Sequence, residues 1–345
     1  MTRLRVGFVP LVDAASVIVA AHRGFAEAEG FEIALSRERS WASVRDKLSV
    51  GYLDAAHVLS PMVLASQLGL GNSRSPLIAP AMMSLDGNEV TLSAELCSLC
   101  AGRIGYMPAE PNDWGRALAD IVCEGAAAGA PPLTFACVFP FSSHAYLLRD
   151  WLENVGIDPD RDVNVTVLPP PMMADALAEG LVDGFCAGPP WGRLAEERGA
   201  GRIAFRAVRL RSGTPEKALA LRETDPLRDT NTVMRLVRAV VRAADWVADP
   251  ENEDELFSLL SASDAVGVDA RTIRAAIDRS GMKLSGRHVM RPDPARARWI
   301  ADRMLRWGQA KGVSTESMEA AAIAGFRRDM FDQAFEVSDD QADNA

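Results

Sequence analysis

The sequence predicts an α/β protein organised as two sheet-and-helix units, and three observations carry that expectation. Short apolar runs alternate with helical patterns from residue 4 onward, the order in which strands and crossover helices follow one another in a largely parallel sheet. The alternation restarts near Thr91, and 345 residues are enough for two domains of ordinary size. The third observation is the stretch TFACVFPFSSHAYLLRDWLENVGI at 134–157, which reads as a buried strand, a turn and a helix N-terminus.

In chain order, residues 4–10 form a first strand ending in a proline turn, and 14–30 a helix closed by Gly30. A second strand follows at 31–35. After Ser40 and Trp41, Ser43 and Asp46 make a capping-box-like pair that opens a helix. Residues 54–58 are a third strand, and Ser60-Pro61 starts the next helix with a capping serine and an early proline. In such sheets ligands sit beyond the carboxyl ends of the strands, which places Pro10, Trp41 and Ser60 near a site. Residues 102–107 read as a strand, and 108–132, rich in alanine, glycine and proline, as a surface insertion with one short helix.

At 134–157 the apolar run 135–139 cannot continue through Pro140, which has no N–H to donate. Ser142 and Ser143 then precede a helical pattern in Tyr146, Leu147, Trp151, Leu152 and Val155, with Gly156 as its left-handed stop. His144 falls in the first turn, where free N–H groups and the positive end of the helix suit a small anion. Strands at 163–168, 182–188 and 201–210 and a helix at 173–180 complete this region. Beyond Thr230 the chain reads as helical, with one apolar stripe from Val233 to Val247. Arg235, Arg238 and Arg242 share another face, expected to be solvated. The acidic last ten residues are expected to be disordered, and His57 and His288 (in a loop) are assigned structural roles.

Composition excludes several classes. Hydrophobic residues make up 48% and charged residues 24%, a globular composition. A net charge of −10 argues against direct nucleic-acid binding, and no apolar run reaches the roughly 20 residues of a membrane helix. No secretory signal opens the sequence and no cysteine precedes Cys97, which points to the cytoplasm. Five cysteines at scattered spacing read as reduced thiols, Cys97 and Cys100 included, with no second pair to complete a metal site.

Several segments together resemble the nitrate/bicarbonate branch of the solute-binding proteins, the NrtA/CmpA type. They are VGFVPLVDAA at 6–15, SWASVRDKLSVGYLDAAHVLSPM at 40–62, FPFSSHAYLLRDWLENVGIDPDRDV at 139–163, PPPMMADALAEGLVDGFCAGPPW at 169–191 and TPEKALAL at 214–221. The resemblance implies a two-lobed, periplasmic-binding-protein-like type II α/β fold with a ligand cleft at the hinge. One lobe would comprise 1–92 plus 206–345, and the other the inserted 93–205. The family's nitrate ligands fall on Trp41, Asn88, His144, Gly188 and Lys217, Asn88 being a shortened amide. Pro189 stands where the family has an acidic residue.

The chemistry fits a planar monoanion with three acceptor oxygens, which calls for donors and one cation. Bicarbonate would need an acceptor for its O–H, so Lys217 favours nitrate or nitrite. Taken singly, Trp41 is a packing residue, His144 a helix cap, Gly188 a turn and Lys217 a surface lysine; the shared order of the segments decides otherwise. With no cofactor and no metal, the chain is similar to NasS-type cytoplasmic sensors, which sequester a NasT-type RNA-binding antiterminator and release it on binding nitrate or nitrite. The alternatives are a transporter's nitrate-binding component and, third, a thiamine-pyrimidine synthase-like enzyme, for which neither a cysteine-rich iron motif nor a phosphate-cofactor lysine site is present.

Overall fold

A computed structural model describes residues 2–71, 75–224 and 230–342. The chain divides into two compact units, one of Met1–Leu85, Pro215–Gly267 and Lys283–Ala345, the other of Asp86–Thr214 and Val268–Met282.

The first unit opens with β1 (Thr2–Phe8), α1 (Ala15–His22), α2 (Phe25–Ala28), β2 (Phe31–Arg37), α3 (Trp41–Ser49), β3 (Ala55–Leu59), α4 (Ser60–Gln67) and β4 (Leu77–Leu85). The expected helix at 14–30 is therefore broken in two, because Gly24 adopts the left-handed conformation at φ 79°. The helix after Ser40 begins one turn earlier than expected: Ser40 itself is the cap, its hydroxyl accepting from the Ser43 amide at 3.2 Å.

The second unit holds β5 (Glu89–Ser93), α5 (Ala94–Ile104), α6 (Pro111–Ala127), β6 (Thr134–Cys137), α7 (Ser143–Asn154), β7 (Asn164–Val167), α8 (Met173–Ala178), β8 (Gly184–Ala187), α9 (Trp191–Glu197) and β9 (Gly201–Arg206). The chain returns to the first unit with β10 (Pro215–Arg222), α10 (Thr230–Ala248) and α11 (Glu253–Ser261). It lends α12 (Ala270–Ser280) to the second, and ends with α13 (Arg287–Met290), α14 (Pro294–Arg306), α15 (Thr315–Gly325) and α16 (Arg328–Ala342) in the first.

Each unit has one five-stranded sheet, in the order β2-β1-β3-β10-β4 and β7-β6-β8-β5-β9. In each, a single strand runs against its neighbours: β10 against β3 and β4, and β5 against β8 and β9. These reversed strands follow directly on two of the places where the chain passes between units, after Leu85 and after Thr214, and they explain why the division there differs from the expected one. Residues 86–92 belong to the second unit because β5 is hydrogen-bonded into its sheet, and 207–214 because Thr214 N–H bonds the Asp86 carboxylate at 2.9 Å.

Three further expectations fail for packing reasons. Residues 102–104 are the end of α5, capped by Ser93 and stopped by left-handed Gly105, and half-buried Ile104 packs against the unit's core from this helix, so no strand forms. The supposed surface insertion contains α6, 17 residues long, with Trp114, Ala117 and Leu118 buried in the core of the unit. Trp151 of α7 seals this contact, donating its indole N–H to Pro111 O at 2.9 Å and meeting Phe205 edge-on at 4.9 Å. The arginine face of α10 is only partly solvated: Arg242 is exposed, but Arg235 and Arg238 are half-buried. Arg238 forks onto both oxygens of buried Glu29 at 3.0 Å, Arg242 adds a bond at 2.9 Å, and Arg235 caps the Glu29 carbonyl.

The acidic tail through Ala342 continues α16, while 343–345 lie outside the described residues. His288 sits in α13, not in a loop.

Candidate functional site

In the first unit the sequence-expected Trp41 and Lys217 are brought together. Trp41 is the first residue of α3, fixed there by the Ser40 cap, and is fully buried. Lys217 lies in the reversed strand β10 between Leu59 of β3 and Ser84 of β4, and is also fully buried. Its ammonium stands 5.8 Å from the centre of the Trp41 ring, within cation–π range.

The sequence missed what completes this cluster. Asp13, in the turn after β1, places Oδ2 2.8 Å from Lys217 Nζ, and Glu216 Oε2 lies 3.7 Å away. His57 Nε2 lies 3.1 Å from Asp13 Oδ1, and its ring is 5.2 Å from that of Trp41. His57 therefore belongs to the cluster, contrary to its assignment as a bystander. Nor does the donors-only expectation hold, since the ammonium already carries a carboxylate. Burial pushes the Asp13 carboxyl up, but Lys217 and His57 outweigh it and hold the group well below the usual carboxylate range. Burial pushes His57 down and keeps its imidazole neutral, against the pull of Asp13. In the same unit the Trp41 indole N–H, and the hydroxyls of Ser84 (opposite Lys217 in β4) and Ser60 (next to Leu59, its partner in β3), are buried with no hydrogen-bond partner among the described residues. Such groups cost free energy unless a ligand or water satisfies them, so they mark a place for an acceptor.

The position of Asp13 was the available clue: it follows the carboxyl end of the first strand, where α/β sheets place ligands. His57, in an apolar strand, gave no such signal.

In the second unit the strand–turn–helix corner forms as read. Ser142 caps α7, accepting from Ala145 N–H at 3.0 Å and donating to Phe139 O at 2.6 Å, and Gly156 is left-handed just beyond the helix. His144 is fully buried in the first turn. Asn88 donates to Ser143 at 3.3 Å, which brings it beside the His144 turn. Gly188 follows β8, whose Ala187 pairs with Glu89, so Asn88 and Gly188 lie just outside the paired ends of neighbouring strands. The second unit thus gathers Asn88, His144 and Gly188, as the first gathers Trp41 and Lys217. The unit also buries Glu89, whose two carboxyl oxygens have no hydrogen-bond partner and lie 4.0 Å or more from Arg206 Nε. Burial lifts this carboxyl to about 8 despite Arg206, with Glu196 adding to the rise. Among the described residues, no group of three or more His, Cys, Asp or Glu is placed to hold a metal ion.

A profile of the NMT1-like family matches residues 1–261. The chain belongs to that family. Among members' relatives, it is 32% identical over 313 residues to the bicarbonate transport ATP-binding protein CmpC of Synechococcus elongatus, covering 88% of this chain and 45% of that protein. It is 33% identical over 272 residues to the nitrate import ATP-binding protein NrtC of Synechocystis, covering 78% and 38%. This NMT1-like chain thus spans less than half the length of those two relatives. To the nitrate/nitrite binding protein NrtA of Nostoc it is 29% identical over 265 residues, 75% of this chain and 57% of that one. Its fold is that of the periplasmic nitrate-binding protein NrtA from Synechocystis, with a TM-score of 0.88 at 24% identity over 98% of this chain and 89% of the other. The alkanesulfonate-binding protein SsuA from Xanthomonas axonopodis shares the fold at a TM-score of 0.67 and 15% identity, over 93% and 98%. The two sheet-and-helix units are therefore those of the periplasmic-binding-protein-like α/β fold.

Proposed function

We propose that this NMT1-like chain binds nitrate or nitrite, and does so as a cytoplasmic sensor. In this reading it holds a NasT-type RNA-binding antiterminator when unliganded and releases it on binding, so that nitrate-assimilation genes are read through. The observation that carries the ligand reading is the buried Lys217 ammonium beside the Trp41 ring, in a unit where the Trp41 indole N–H and the hydroxyls of Ser60 and Ser84 are buried with no hydrogen-bond partner among the described residues. The nitrate-named relatives, NrtC and NrtA, support the same ligand. We read the role as binding, in keeping with the nitrate/nitrite binding protein NrtA among the relatives. Thiols support a reducing compartment, since Cys97, Cys100, Cys123, Cys137 and Cys186 are all free and Cys123 is exposed.

Release requires that ligand and partner prefer different arrangements of the protein, and by linkage each weakens the other equally. A ligand preference of roughly 5 kcal/mol would swing a partner-bound population from almost full to almost empty.

Calorimetric titration with nitrate, nitrite and bicarbonate tests the ligand. Nitrate or nitrite heat is expected from the native protein and is expected to vanish in Lys217→Ala and His144→Ala; heat surviving both substitutions refutes the assignment. Co-purification tests the sensor: the antiterminator should bind without ligand and dissociate with nitrate, and a complex indifferent to nitrate overturns the mechanism. The transport-related names of CmpC and NrtC favour a second reading, a nitrate-binding component of an ABC transporter. That reading predicts no antiterminator complex under any ligand condition.

A further inference from the structure

We propose that Asp13 sets the charge selectivity of the anion site and confines it to monoanions. This rests on the ligand reading above and adds to it a residue that neither the resemblance nor the relatives assign. Asp13 is 3% exposed and puts one carboxylate oxygen 2.8 Å from Lys217 Nζ and the other 3.1 Å from His57 Nε2. The neutral His57 adds no positive charge. Among the described residues the other charged side chain placed against the ammonium is Glu216, at 3.7 Å, so each additional charged group seen at Lys217 is a carboxylate.

An ammonium has three N–H donors, and Asp13 occupies one. Two donors remain for an oxyanion, while Asp13 alone already balances the ammonium and Glu216 stands beside it as well. Recognition is left to hydrogen bonds from Lys217, Trp41, Ser60 and Ser84, and charge becomes the penalty. A ligand held by the same ammonium as Asp13 lies roughly 5 Å from its carboxylate, and their repulsion scales with ligand charge. At partly screened dielectric this weakens a monoanion roughly tenfold and a dianion roughly a hundredfold. Selectivity of this kind is built by repelling the wrong ligand. The clearest competitors of nitrate in size and hydrogen bonding are sulfate and hydrogen phosphate, both oxyanions that carry more charge at neutral pH.

The test compares nitrate, nitrite, bicarbonate and sulfate by calorimetry in the full-length protein and in Asp13→Asn. The native protein should bind a monoanion at least a hundredfold more tightly than sulfate. In Asp13→Asn the monoanion should bind about tenfold more tightly and sulfate about a hundredfold, narrowing the ratio about tenfold. If Asp13 merely holds Lys217 in place, the substitution weakens every anion alike and leaves the ratio unchanged, which overturns the proposal. Asp13→Ser serves as the second variant should asparagine not fold, and the native protein alone is decisive in one direction: sulfate binding within tenfold of the monoanion refutes the role. Native protein that prefers nitrite or bicarbonate to nitrate changes the ligand reading, yet its monoanion-to-sulfate ratio still decides the role of Asp13. Native protein that binds none of the four overturns both.

Discussion

Replacing Glu89 with glutamine converts a buried ionisable group into its uncharged isostere and lets the cost of that burial be measured. Glu89 opens β5, is 1% exposed, and has Arg206 Nε no nearer than 4.0 Å. Its carboxyl is lifted from 4.5 to about 8, chiefly by burial. The folded protein therefore keeps a proton that the unfolded chain gives up above about pH 4.5. Stability from this group is fully present below that pH and is lost as pH rises toward 8, at about 1.4 kcal/mol per pH unit. The accumulated loss is about 3 kcal/mol at pH 7 and nearer 5 kcal/mol at pH 8. Glutamine has no proton to lose, so the gain in stability of Glu89→Gln over the native protein should grow along that slope. Denaturant unfolding of both proteins at pH 5, 6, 7 and 8 measures it. Any fixed offset from altered packing shifts all four values equally, so the slope is the observable. A difference that is constant across the series, or largest at pH 5, refutes the claim that Glu89 is protonated in the folded protein.

Other predictions rest on different parts of the molecule. Lys217→Met leaves the Asp13 carboxylate buried without its cation, and should cost about 3–5 kcal/mol near pH 7 and less near pH 4, read by denaturant unfolding. Trp114→Ala should cost about 3–5 kcal/mol in thermal unfolding if α6 is core; a loss below about 1 kcal/mol would restore it to a surface insertion. Ser142→Ala removes the cap of α7 and should cost about 1 kcal/mol while weakening anion binding, because the His144 turn loses its anchor. Arg238→Ala should cost about 1–3 kcal/mol through the stranded carboxylate of Glu29, and Glu29→Gln in the same background should recover part of that loss.

The α/β class and the strand–turn–helix corner at 134–157 were legible along the chain, whereas Trp41, Asn88, His144, Gly188 and Lys217 were singled out only by the resemblance of the ordered segments. The legible features are local. A serine cap, a proline stop and the period of an apolar stripe act over a few residues, so the sequence displays them directly. The misread pieces are those where a local pattern is ambiguous until a partner is present. The end of α5 reads as a strand because short apolar runs suit either structure, and the alanine-rich α6 reads as surface until Trp114 is seen packed beneath α7. The arginines of α10 look solvated for the same reason, since Glu29, their counter-charge, lies more than two hundred positions away in the chain.

By itself, then, the sequence determined the α/β class and the capped corner ahead of α7, and the resemblance it carries nominated a set of donors with one lysine. Only the tertiary structure decided the electrostatics. Lys217 meets Asp13 and His57 because β10 inserts between β3 and β4, and no spacing in the chain encodes that neighbourhood. A charge acts through space and its strength depends on burial, and both the distances and the burial exist only once the strands have paired.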